Sequence, residues 1–244
     1  MKKLYEQSEI TFAILWIVIY TAGMGTLRSN FGLDTPWQMI GLIVLSAALF
    51  LFVKRNGLME KYGLAGWAIN SKAMLWFIPL WFLSCLNLFG GFCPDYPMPR
   101  LIYAAVSMAL VGFVEELLFR GFLFKAMLKD GDVRAAVIIS SVTFGLGHII
   151  NLFTGQDLIE TLFQVVFAVA VGFVFTLVFY KSGSLLPGIL AHSFIDVSSV
   201  FASDEGSRLL NVILHIVIII ISAAYCLYLA RLTDTPEINR IDTE

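Results

Sequence analysis

Eight apolar runs, each about as long as a bilayer is thick, follow one another along the chain between short charged or Pro/Gly-rich breaks. They fall at about residues 11–27, 37–53, 73–90, 101–128, 133–152, 158–180, 184–201 and 209–230. A hydrocarbon core near 30 Å takes about 20 residues of helix, and lipid offers no partner to an unpaired backbone amide. The expected fold is therefore an all-α, polytopic membrane protein of about eight transmembrane helices. Composition points the same way, with 59% hydrophobic and 14% charged residues against about 45–50% and 25% in soluble domains. Too few charges remain to solvate a globule, and a net charge of −2 excludes a nucleic-acid partner, which would ask for a basic excess. Residues 1–244 are expected to form a single membrane domain in contact with the lipid bilayer, with no soluble domain appended.

The first run follows Lys2 and Lys3 and has the look of a signal peptide, but it is longer than the usual apolar core and lacks an A-x-A cleavage site, so it is expected to stay as an anchor. Cys85 and Cys226 fall in apolar runs and Cys93 in a loop, without the spacing of a disulfide framework or a zinc cluster. Lysine and arginine sort by loop. Lys2, Lys3, Lys54, Arg55, Lys61, Lys72, Lys125, Lys129, Arg134, Lys181, Arg231 and Arg240 lie at the termini and even-numbered loops, whereas the odd loops hold Arg28, Arg100 and Arg208. By the positive-inside rule both termini face the cytoplasm of a multi-pass cell-membrane protein. The segment from Gly90 to Arg100, with Pro94, Pro97 and Pro99, is expected to be a rigid external turn.

An ionisable side chain at membrane depth is costly, and within a crossing it marks a functional site by default. The first three runs have no charge in their interiors. The fourth contains Glu115, Glu116 and Arg120, the fifth His148, and the seventh His192 and Asp196. Glu116 and Arg120 are one helical turn apart and can pair, which accounts for both as a structural support. Glu115 is then left with no cation nearby in sequence and points about 100° away around the helix. Phe144 and His148 share a face by the same spacing, as do His192 and Asp196. A lone membrane histidine such as His215, one turn from Asn211, is explained by interhelical packing; Glu115 is what sets His148 and His192 apart from it.

Three helices projecting a carboxylate, an imidazole and an imidazole–carboxylate pair suit hydrolysis in two ways. Either Glu115 is a general base that deprotonates a water shared with His148, while His192 stabilises the oxyanion. Or His148, His192 and a glutamate, Glu115 or Glu116, ligate a zinc ion that activates the water. The H-E-x-x-H helix of many zinc proteases is absent. Two non-hydrolytic readings compete: a membrane scaffold or bacteriocin-immunity binding protein, for which buried ionisable groups have no use, and a proton-coupled transporter using Glu115, His148 and Asp196 as a relay. The repeated halves and interrupted helix pairs that mark many transporters are not evident.

Glu115-Glu116-x-x-x-Arg120, Phe144-x-x-x-His148 and His192-x-x-x-Asp196, in that order and with Ser184-Leu185-Leu186-Pro187-Gly188-Ile189 leading into the last, resemble the three motifs of the CAAX-processing and bacteriocin-processing (CPBP, or Abi) intramembrane endopeptidases. The resemblance covers about residues 100–201, which would be the catalytic core. It implies a conical intramembrane cavity that receives a peptide or protein end presented at the membrane. Glu115 would be the catalytic base, His148 its partner on the water, His192 with Asp196 the oxyanion-stabilising pair, and Glu116 with Arg120 a brace. Asp196 departs from the asparagine of the eukaryotic pattern. The family is often labelled metalloprotease, and a metal-free glutamate mechanism is what its prenyl-processing members imply here.

Overall fold

Residues 1–92, 96–129, 131–202, 208–233 and 236 are described in a computed structural model, the side chains of Gly90, Thr154, Arg208, Leu209 and Asn211 excepted. Cys93, Pro94 and Arg240 lie outside the described residues, as does the side chain of Asn211.

Ten α-helices make up the described fold. A short α1 (Lys2–Gln7) precedes α2 (Glu9–Phe31), whose first turn is capped by Ser8, its hydroxyl accepting from the Thr11 amide at 3.2 Å. Helix α3 (Pro36–Arg55) opens with proline at its first position, where the missing N–H costs nothing. Helix α4 (Ile78–Ser84) is only one part of the third pass. It lies between 3₁₀ turns at Leu75–Phe77 and Leu86–Gly90, with Leu75, Trp76 and Phe77 in left-handed backbone conformation.

The fourth pass is one rod of 29 residues, Arg100–Leu128: α5 (Arg100–Glu115), a π-helical stretch Glu116–Phe124, and α6 (Lys125–Leu128). Helix α7 (Val133–Gly147), capped by Asp132, tightens into a 3₁₀ segment from His148 to Thr154. Helix α8 (Leu158–Ser182) begins at an Asp157 cap and ends on Gly183 at φ 69°. Helices α9 (Leu186–Phe201) and α10 (Arg208–Arg231) complete the bundle. The protein is all-α and polytopic.

Among the described residues six helices are long and apolar enough to cross a bilayer; the expected crossings at 73–90 and 184–201 are shorter, Leu75–Ser84 and Leu186–Phe201. The third expected helix breaks where the backbone turns left-handed. Both short segments still run from end to end of the bundle, as the contacts at its two ends show. At the first end, Glu9 takes Lys61 at 2.6 Å and Lys129 at 2.5 Å, the Ile69 amide donates to Ser182, the Leu185 amide to Gly63, and Lys181 to the Leu232 carbonyl. The hydrogen bond from Lys129 to Glu9 holds the lysine ammonium above its usual range. At the second end, Arg100 pairs with Asp34, and Phe92 bridges to Ala202 with its ring stacked on Phe201. The described residues thus make eight passes between these ends.

Near the first end the packing is aromatic. Phe12 stacks on Phe52 at 4.8 Å and meets Phe122 edge-on, and Tyr62 also packs on Phe122, all around the fourth pass. This anchors the half of that rod nearer the first end and leaves its middle, at Glu115 to Arg120, facing α2, α7, α8 and α9.

Candidate active site

Glycine sets the spacing between the two helices that carry most of the site. At Gly112 on α5, an added Cβ would lie 2.5 Å from the Ser193 amide nitrogen of α9, so only glycine lets the two backbones come this close. Ser193 ties the contact by donating its hydroxyl to the Ala109 carbonyl at 2.8 Å. One turn on, Glu115 faces His192 and Asp196.

Glu116 and Arg120 are both completely buried and pair at 2.9 Å. They sit in the π-helical stretch, a backbone form that is rare and concentrated at functional sites. Arg120 also donates to the Gly172 carbonyl at 3.3 Å, and its guanidinium lies over the Phe144 ring at 4.1 Å and the Phe175 ring at 5.2 Å. A Cβ on Gly172 would stand 3.3 Å from the guanidinium, and one on Gly188 3.0 Å from the Glu116 carboxylate. Two glycines therefore make room for the ion pair.

The pair has a third member. Glu116 Oε1, already bonded to Arg120, accepts from His192 Nδ1 at 2.9 Å. The His192 ring stacks on Phe175, centroids 5.2 Å apart and planes at 23°. With Nδ1 fixed by a carboxylate, Nε2 is directed at Glu115 Oε2 and Asp196 Oδ2, each 3.5 Å away. Glu116 is thus a support for the histidine as well as for its own helix, a role the i,i+4 spacing does not disclose.

Glu115 has a partner far away in sequence. Tyr20 on α2 donates its hydroxyl to Glu115 Oε1 at 2.6 Å. His148 begins the 3₁₀ segment after α7, and its Nδ1 donates to the Phe144 carbonyl at 3.2 Å, leaving Nε2 as the free ring nitrogen. The Phe144 ring stands edge-on to both His148 and His192, at 5.3 and 5.5 Å.

A cavity of about 150 Å³ opens among these helices, with Glu115, His148, Asp196, Tyr20 and Arg28 in its lining. His192 is not among the lining residues; it lies behind the two carboxylates it contacts. His215, by contrast, packs against the Phe163 and Phe167 rings away from this group.

The zinc alternative asks for His148, His192 and a glutamate converging on one point. Among the described residues no three His, Cys, Asp or Glu side chains are grouped to hold a metal ion, and His192 Nδ1 is already taken by Glu116. The donor set as arranged does not fit a zinc ion.

Tyr20 and Phe175 were not singled out by the sequence. Both are uncharged and fall inside apolar runs, so a search for ionisable groups at membrane depth passes over them. Among curated proteins the chain has no match. Residues 97–198, which enclose Glu115, Glu116, Arg120, His148, His192 and Asp196, match the family model described as Type II CAAX prenyl endopeptidase Rce1-like, the CAAX-protease family of intramembrane endopeptidases that the three sequence motifs resemble.

Proposed function

We propose that the protein is a glutamate-type intramembrane endopeptidase that hydrolyses a peptide bond near the terminus of a membrane-associated peptide or protein, with residues 100–201 as its catalytic core within a single membrane domain. The observation that carries this reading is that Glu115, His148 and Asp196, from three different passes, line one cavity in an otherwise apolar bundle. Buried ionisable groups that face a cavity and are braced from behind are what proton transfer requires.

In this mechanism a water lies between Glu115 and the free Nε2 of His148. Glu115 takes a proton from the water as its oxygen attacks the carbonyl carbon of the scissile bond. The negative charge that develops on the carbonyl oxygen is met by a hydrogen bond from a protonated Asp196 carboxyl, which lines the cavity with His192 Nε2 3.5 Å behind it. Glu115 then returns its proton to the departing nitrogen as the C–N bond breaks, so one water is consumed and a new carboxyl and a new amine are released. Glu116, held by Arg120, fixes the His192 ring, and Tyr20 orients the Glu115 carboxylate. No metal is needed in this scheme, because every proton has a protein group to take it and to return it.

The test is incubation of the detergent-purified protein with a library of peptides of mixed termini in ¹⁸O-labelled water, followed by mass spectrometry. Hydrolysis places one ¹⁸O in each new carboxyl group. Peptide binding without labelled product would instead support a scaffold or immunity-type binding protein.

A further inference from the structure

The cavity reaches from the middle of the fourth pass, at Glu115 and Phe119, toward the second end of the bundle, and the other helices line it with the half of their length nearer that end. On α2 the lining residues run from Tyr20 to Arg28, and on α3 the lining comes from Gln38, in its first turn. Asn151 follows α7 and Gln164 lies early in α8. The mouth is therefore at the end where Arg100 meets Asp34 and Phe92 meets Ala202, opposite the end that gathers α1, the Glu9 ion pairs and the 181–185 turn.

The two ends differ in charge. Among the described residues, eleven Lys and Arg residues stand at or beside the first end, from Lys2 and Lys3 through Lys54, Lys61 and Lys129 to Arg231. At the second end there are Arg28, Arg100 and the backbone position of Arg208. All the loops are short, which is the regime in which lysine and arginine decide orientation. Translocating the first end would carry nearly all of the loop cations across the membrane, and translocating the second carries three.

We infer that the cavity opens to the non-cytoplasmic face of the membrane and takes peptide segments presented there, such as the termini of exported or surface-tethered chains. The inference rests on the peptidase reading for what enters the cavity, and on geometry and charge alone for the side from which it enters. The same geometry denies the site to a peptide confined to the cytoplasm, since none of the first-end residues Glu9, Lys61, Ile69, Lys129 and Leu185 lines the cavity.

Cysteine accessibility in sealed membrane vesicles tests it. In a background with Cys85, Cys93 and Cys226 replaced by serine, Leu33→Cys places a thiol on the cavity mouth and Glu60→Cys places one at the first end. A membrane-impermeant maleimide should label Leu33→Cys in right-side-out vesicles and Glu60→Cys only in inverted ones. The reverse pattern, or equal labelling of each from both sides, would overturn the inference. A C-terminal epitope on the otherwise unaltered chain gives a second measurement that depends on no cysteine: it should resist protease in right-side-out vesicles and be lost in inverted ones, and the opposite result overturns the inference. Cleavage of an added, impermeant peptide should occur with right-side-out vesicles before any detergent is added. Cleavage only after solubilisation would contradict the orientation, while no cleavage in either state, with the labelling as expected, would count against the peptidase reading and leave the side of access established.

Discussion

Replacing Arg120 by alanine should separate the structural work of the ion cluster from its catalytic work. Arg120 is fully buried, bonded to Glu116 at 2.9 Å and to the Gly172 carbonyl at 3.3 Å, and sandwiched by Phe144 and Phe175. Removing one partner of a buried ion pair costs about 3–5 kcal/mol, because the other charge is stranded. At about 2–4 °C per kcal/mol for a chain of this length, the melting temperature should fall by about 6–20 °C. The double variant Glu116→Gln/Arg120→Gln removes both charges and should recover a large part of that loss. It should not recover activity, because Glu116 Oε1 also accepts from His192 Nδ1, and a neutral amide fixes that ring less firmly. The assay is a thermal melt in detergent beside the rate of peptide cleavage. An unchanged melting temperature in Arg120→Ala would show that the pair contributes nothing, and a double variant as active as wild type would show that Glu116 does not position His192.

Tyr20→Phe deletes the hydroxyl that donates to Glu115 and should lower kcat about 10- to 150-fold, the equivalent of a hydrogen bond of about 1.5–3 kcal/mol to a charged group, with little change in melting temperature; an undiminished kcat would remove Tyr20 from the site. Gly112→Ala forces α5 away from Ser193 of α9, so it should cost about 1–3 kcal/mol in a melt and reduce cleavage as Glu115 is displaced from His192. Asp196→Asn keeps a polar contact with His192 and should retain measurable cleavage, whereas Asp196→Ala should lose more, a ranking read from kcat/KM of both. Treatment with a chelator followed by dialysis should leave the rate unchanged, and restoration of a lost rate by added zinc would refute the metal-free scheme.

Much of this was legible in the chain because lipid leaves few choices. Apolar runs must be helices, and a carboxylate or imidazole within one must face its own kind, so Glu115, Glu116, Arg120, His148, His192 and Asp196 stand out before any coordinates. Periodicity gave the Glu116–Arg120 pair as well. It could not give the contacts between passes. Tyr20 reaches Glu115 across 95 residues and His192 reaches Glu116 across 76. The break in the third pass was hidden for a different reason: hydropathy reports how apolar a segment is and carries no sign of the left-handed backbone at Leu75, Trp76 and Phe77. The closeness of α5 and α9 depended on glycine at 112, one of 19 glycines in the chain, with nothing local to mark it.

The central claim is that Glu115 moves the proton. The direct measurement is the single-turnover rate of peptide cleavage by Glu115→Gln against wild type, with melting temperature and peptide binding determined on the same preparations. The glutamine keeps an oxygen to accept from Tyr20 and cannot take a proton from water, so the fold and peptide binding should persist while the rate falls by about 10²–10⁴-fold, the range for loss of a positioned general base. A Glu115→Gln protein that cleaves at the wild-type rate would contradict the account.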